Sequence, residues 1–492
     1  MTKESLYLRR LGSFSPFSMI QEIITTPAAI KRCADELVQG RDKSDNECRF
    51  EAVLKHDPEL AFLSLQELTK EIHEWQHFID FCGTTFGYRV QWEWLILFYE
   101  FRKAILNAKT NRFKLPLQNW ANKSDCPEGI RQWITRYDLT EGFYLSIFGD
   151  FELQVDSLKC GSSAVITLPV AGGKASVNLP IYSFRENYAY VVGAKACFET
   201  KAFLIQIALI VGLFGRKIAI WFLHETVKRM MVDPRLRVYI VIPLLHLLRF
   251  GKYFPLLDFA VSDSCLMGRR LYIESLDTMN PGQQYLDKIP LIITMQKEGI
   301  PKEETEQLNL ILHNIVDVRE MKKVCQQEIE EGEQALAEID RLVKGSQTDE
   351  VDVIIRQRQE YLLQFMKLLK MRILNPRMFL DPGLCLSQYR SDEFPRPFGT
   401  VRRESILAKT GLEIQKDEHR FAWWWMLYIE FMNIITKHRE IVCPLKKLNI
   451  DCSLVFLGCG IGQVFSKSEK GICDYGVILQ SLSLDNKILE AA

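Results

Sequence analysis

The chain has 492 residues, 47% of them apolar and 25% charged, with 62 lysines and arginines against 62 aspartates and glutamates. That composition is globular, neither disordered nor fibrous, and the length allows two to four domains of about 100 to 200 residues. The balanced charge sets up no net field toward nucleic acid or an anionic membrane, and thirteen scattered cysteines, with no C-x-x-C pair, point to reduced thiols in a cytoplasmic setting.

In chain order, the opening 50 residues read as helical and end in a polar stretch, GRDKSDNE (40–47). The N-terminal MTKESLYLRRLGSFSPF holds no apolar run long enough for a signal peptide. Residues 59–63, ELAFL, suggest a short strand. A helix is then predicted from a capping box at Ser64 and Glu67 to a stop at Gly83, with Leu65, Leu68, Ile72, Trp75, Ile79 and Cys82 as its apolar stripe. Residues 90–110 and 128–136 read as aromatic-rich helices. AVITLPV and ASVNLP around AGGK (171–174) predict a β-hairpin.

Helical periodicity returns near residue 184 and dominates from there. The segment AFLIQIALIVGLFG (202–215) is 14 residues long and ends at Arg216 and Lys217, whereas a membrane span needs about 20. It is read, with VYIVIPLLHLL (238–248), as buried core. Residues 303–375 predict a long helical hairpin. Its seam runs through Leu308, Ile311, Ile315, Val318, Cys325, Ile329, Leu336, Ile339 and Val343, broken at Lys322 and Gly332. Such a hairpin serves as an internal strut or as an arm for a protein partner. FAWWWMLYIEFM (421–432) predicts an apolar helix. The glycines of VFLGCGIG (455–462) match no phosphate loop, and Cys443, Cys452, Cys459 and Cys473 match no common zinc module.

The chemistry concentrates in KEIHEWQHFID (70–80). His73 and His77, one turn apart, project from one helix face at the edge of the apolar stripe. They can take two corners of a metal site, while Glu74, turned about 100° from His73, is placed to act as a base. With 8 histidines in the chain, a chance H-E-x-x-H is expected on the order of once in a hundred such sequences. The bland alternative is two histidines paired with carboxylates on a helix surface. HETVK (224–228) has lysine where the second histidine would stand and is given no metal role.

HEWQH resembles the core motif of the zincin metallopeptidases. The resemblance covers this helix and a second, expected one. It implies one zinc ion, a water nucleophile and peptide hydrolysis. Asp80 and Gly83 stand where the metzincin glycine and third histidine would be, so the resemblance moves to the gluzincin branch, whose third ligand is a glutamate. RENYAYVVGAKACFE (185–199) is read as that helix, with Glu186 as ligand, Glu199 as the chief substitute and Tyr190 as an oxyanion donor. Ser183 and Glu186 also form a capping box, which leaves Glu186 a purely local alternative. Cys82 and Cys197 are further candidate ligands without a matching motif.

The expected fold class is α+β and predominantly α-helical: a zincin-like core with a small β-hairpin or sheet and added helical modules. The expected domains are a catalytic domain at 1–300, the hairpin at 301–375 and a helical domain at 376–492. The expected function is a cytoplasmic zinc peptidase acting on a peptide or protein, with no nucleic-acid partner and no membrane span. The alternative is a helical interaction protein whose metal site is structural or vestigial.

Overall fold

The computed structural model describes residues 12–149, 163–232, 255–267, 280–298, 316–391, 395–403 and 420–438 with short interruptions, together with a few shorter pieces including 152–154, 411–413 and the segment near 479–491. The described chain is predominantly helical, with short strands. The opening segment, expected to be helical, forms strands over its first described residues. Strands β1 (Gly12–Ser15) and β2 (Ile20–Ile24) pair antiparallel, and helices begin only with α1 (Ala28–Leu37) and α2 (Lys43–His56).

Helix α3 (Pro58–Cys82) includes the predicted ELAFL strand. The chain marks its start with Asp57 and Pro58. The Asp57 carboxylate accepts from the amides of Glu59 and Leu60 at 3.1 and 3.0 Å, and proline at the first position needs no amide partner. Ser64, read as the cap, instead lies fully buried inside the helix. The stop is as expected: the Gly83 amide donates to the Ile79 carbonyl at 2.7 Å. Thr84 then caps α4 (Thr85–Asn107), accepting from the Gly87 amide.

Strand β3 (Arg112–Leu115), α5 (Leu117–Ala121) and α6 (Glu128–Phe148) follow. The expected hairpin is present. β5 (Ser163–Val170) pairs antiparallel with β6 (Gly173–Arg185) in a sheet completed by β7 (Tyr188–Val191) and β4 (Glu152–Gln154), in the order β4-β7-β6-β5. Residues 185–199 are therefore not one helix. The alternation Tyr188-Ala189-Tyr190-Val191 suits a pleated strand, and helix α7 (Ala194–Phe214) starts only after Gly193. A Cβ on Gly193 would lie 2.3 and 2.4 Å from the carbonyl oxygens of Ile147 and Phe148. Only glycine lets α7 start this close against the end of α6.

Helix α7 is long and apolar enough, by length and composition, to cross a membrane, but 67% of its most apolar window is buried inside the protein. It packs on α2, α3 and α8 (Arg216–Val232). It also meets α9 (Pro255–Cys265), α10 (Pro281–Glu298) and, past the hairpin, α14 (Pro382–Tyr389). The 238–248 segment, the four C-terminal cysteines and the 455–462 glycines lie outside the described residues.

The 303–375 hairpin consists of α11 (Val318–Lys344) and α12 (Asp349–Leu374). Its inward face carries Met321, Cys325, Ile329 and Leu336, with Met321 taking the place next to exposed Lys322. The other seam positions before Val316 are not described. α13 (Arg377–Leu380), β8 (Gly399–Arg403), β9 (Gly411–Glu413), α15 (Arg420–Lys437) and β10 (Ile488–Ala491) complete the order. β8 extends the first sheet beside β2, and β10 pairs in parallel with β3. One cluster of buried side chains runs from Cys33 through α3, α4, α7 and the hairpin to Leu484, so segments 1–300, 301–375 and 376–492 share it.

Candidate metal centre

Helices α3 and α7 pack side by side and bring three ligand-type side chains to one point. His73 Nε2 and His77 Nε2 are 3.1 Å apart. Glu199 Oε2, on α7, lies 3.3 Å from the first and 3.7 Å from the second. His73, His77 and Glu199 form the group among the described residues that could hold a metal ion, each half-buried. The third member is thus Glu199, the substitute in the sequence reading. Glu186 falls between β6 and β7, outside the described residues. Tyr190 is on β7, its backbone paired with Glu152 and Tyr182, so the helical spacing that joined it to Glu186 is absent. Cys82 and Cys197 are buried and lie outside the group.

A side chain missed in the sequence orients His73. Its Nδ1 lies 3.0 Å from Gln206 Oε1. The Gln206 amide nitrogen donates to Thr69 Oγ at 2.9 Å, and that hydroxyl donates to the Leu65 carbonyl at 2.9 Å. The Thr69 proton is therefore directed to Leu65, its oxygen accepts from Gln206, and the amide oxygen is left to accept from His73 Nδ1. This chain of donors fixes the tautomer whose Nε2 faces the site. Gln206 is seven residues, two turns, after Glu199 on α7, which puts both on the face toward α3.

Burial disfavours a charge on His73, but the hydrogen bond and charge of Glu199, helped by Glu74 and Gln206, outweigh it and raise its pKa to about 9. Burial likewise works against the Glu199 carboxylate, yet His77, His73 and Lys195 hold its pKa far below the usual range. Without a metal, His73 is thus held protonated against Glu199, and a metal ion at its Nε2 would have to displace that proton. Glu74 is 5% exposed, and its charge acts on His73. His224, the internal comparison, is exposed, while Glu225 pairs with Lys228 and Arg229 on the helix surface.

One turn along from His77 and Glu199, a buried charge network ties the two helices to the rest of the fold. Lys201 Nζ lies 2.5 Å from Asp80 Oδ1 and 2.6 Å from Asp263 Oδ1. Arg372 reaches the other Asp263 oxygen at 2.5 Å and donates to the Gly83 carbonyl at 2.6 Å. All four charged side chains are at most 1% exposed. Burial raises the Asp80 pKa to about 6 against the pull of Lys201, whereas Arg372 and Lys201 overcome burial and lower that of Asp263. Asp80 lies on α3 three residues after His77, but nothing local in the sequence signalled its partners.

No family model, no curated protein and no solved structure matches this chain. The site must be judged on its own geometry.

Proposed function

We propose that the protein is a zinc-dependent peptidase with His73, His77 and Glu199 as ligands and Glu74 as general base. The observation that carries this reading is metrical. A tetrahedral zinc with bonds of about 2.0–2.1 Å separates its ligand atoms by about 3.3–3.4 Å, about 1.63 bond lengths. The three ligand atoms here are 3.1, 3.3 and 3.7 Å apart. Three protein ligands leave a fourth position for water, as catalytic sites do, whereas closed structural sites use four.

Bound zinc would supply a water acidified from a pKa of 15.7 toward about 7, and a Lewis acid for the scissile carbonyl. Glu74, in the residue after a ligand and buried beside it, accepts the proton of the attacking water and returns it to the leaving amine. Gln206 holds the His73 ring in register for that geometry. Tyr190 enters no step. The zincin resemblance agrees with this division of roles and rests on the HEWQH helix alone.

The test is metal content of the purified full-length protein together with cleavage of a peptide mixture followed by mass spectrometry. Wild type is expected to carry about one zinc and to cleave; both are lost in His73→Ala and Glu199→Ala. Glu74→Gln keeps the metal and loses cleavage, and Glu186→Gln keeps both. A zinc-loaded wild type that cleaves nothing, with a melting point that drops on chelation, would favour the structural-metal alternative. Wild type without bound metal would end both readings.

A further inference from the structure

A cavity of about 280 Å³ lies between α3, α4, α6 and α15. Its inner wall is Phe81 of α3, Phe86, Val90 and Trp94 of α4, and Tyr137 and Tyr144 of α6. All six are at most 6% exposed. The lining toward α15 differs: Glu141, Ile429 and Glu430 are half-buried and Lys437 is exposed. The cavity is thus closed by bulky, mostly apolar side chains on one side and reaches solvent on the other. Protein interiors hold few voids larger than a water molecule, because each void forfeits contacts along its lining. A larger side chain at Val90 alone would close much of this one. A space left open among buried, bulky side chains points to an occupant.

The chemistry of the lining sets the class of that occupant. Lys437 pairs with Glu141 at 2.7 Å, and Glu430 also has a partner. The Tyr137 hydroxyl is hydrogen-bonded to Thr436. Burial pushes the phenols of Tyr137 and Tyr144 well above their ordinary pKa, so the inner wall resists charge. A charged ligand would surrender its hydration there with no counter-ion committed to it. A neutral apolar ligand pays no such cost. An apolar cavity of about 150 Å³ takes a benzene, so this larger one suits a fused two-ring molecule of about ten heavy atoms.

From this we infer that the cavity is a binding site for a neutral, apolar two-ring molecule, seated against the six inner residues and entering between α6 and α15. None of His73, Glu74, His77 and Glu199 lines it, and the inference does not rest on the peptidase reading.

Equilibrium dialysis of the full-length protein, above neutral pH, tests it with two probes of one shape: neutral 2-methylquinoline and the cation N-methylquinolinium. The charge of the second lies in the ring system and cannot stay behind at the mouth. The neutral probe is expected to bind about tenfold or more tighter. Val90→Phe fills the inner part of the cavity and should weaken 2-methylquinoline by about tenfold or more. Ile429→Trp, at a half-buried position on the mouth, should weaken it too, and serves if Val90→Phe does not fold. A probe held at the metal centre instead would keep its affinity in both variants. Equal or tighter binding of the cation, no binding of either probe, or an affinity for 2-methylquinoline that survives in the variants that fold would overturn the inference.

Discussion

At the scale of single residues, the site depends on a hydrogen bond that no ligand motif contains. His73 can offer Nε2 to a cation only if Nδ1 keeps its proton, and Gln206 Oε1, 3.0 Å away, is what accepts it. Partners of this kind typically change metal affinity by about 10- to 100-fold when removed. Gln206→Leu preserves bulk but not the acceptor. It is expected to weaken zinc binding by about that range in a chelator-competition titration while leaving the metal-free melting temperature close to wild type. An affinity within twofold of wild type would mean that ring packing, and not Gln206, orients His73. The histidines were legible in the sequence because a helix makes neighbours of residues four apart. Glu199 was legible only as the substitute for Glu186, and Gln206 not at all, because their proximity to α3 arises from packing between helices. The gluzincin resemblance drew attention to 185–199 as a single helix, where Tyr188–Val191 form a strand and the helix starts only after Gly193.

At the scale of elements, the amphipathicity of α3 and of the 303–375 hairpin, and the end of α3 at Gly83, were readable from the sequence, while the start of α3 was not. Gly332 looked like a break in the hairpin seam, yet it lies tight against Tyr88 of α4. A Cβ there would lie 1.7 Å from Tyr88 Oη, 3.0 Å from Tyr88 Cζ and 3.3 Å from Met366 Sδ. Both residues are buried, so the phenol has little room to withdraw. Overpacking of this kind costs about 1–3 kcal/mol. Gly332→Ala is therefore expected to destabilise the protein by about that amount in denaturant unfolding. Tyr88→Phe removes the nearest clashing atom, and its hydroxyl has no hydrogen-bond partner among the described residues. The double variant should recover at least half the loss, a coupling that a double-mutant cycle isolates. Additive effects would show that Gly332 matters for some reason other than room for that ring.

At the scale of the molecule, four segments far apart in sequence meet at the Asp80–Lys201–Asp263–Arg372 network. Asp80 lies three residues after His77, and Lys201 two after Glu199. Asp263 sits on α9, and Arg372 is near the end of the hairpin, with its guanidinium over the Phe379 ring at 4.1 Å. Nothing in the local sequence marks Lys201, Asp263 and Arg372 as partners of Asp80. The fold uses them, almost fully desolvated, where the hairpin meets α3 and α7. Removing one member of a buried ion network leaves a charge that neither water nor a partner stabilises, at a cost of about 3–5 kcal/mol. Lys201 would still face Asp263 after Arg372→Leu, which places the expected loss near the lower end of that range, measured by denaturant unfolding. The Gly83 carbonyl at the end of α3 would also lose its donor. Zinc affinity should therefore fall with stability, although Arg372 touches none of the three ligands. Adding Asp263→Asn to Arg372→Leu removes the stranded charge and should return part of the stability, so that the two effects together are smaller than their sum. If Arg372→Leu unfolds within about 1 kcal/mol of wild type, the network is not what holds the hairpin to the site. The apolar contacts of Leu362, Phe365 and Leu369 would then have to carry that attachment.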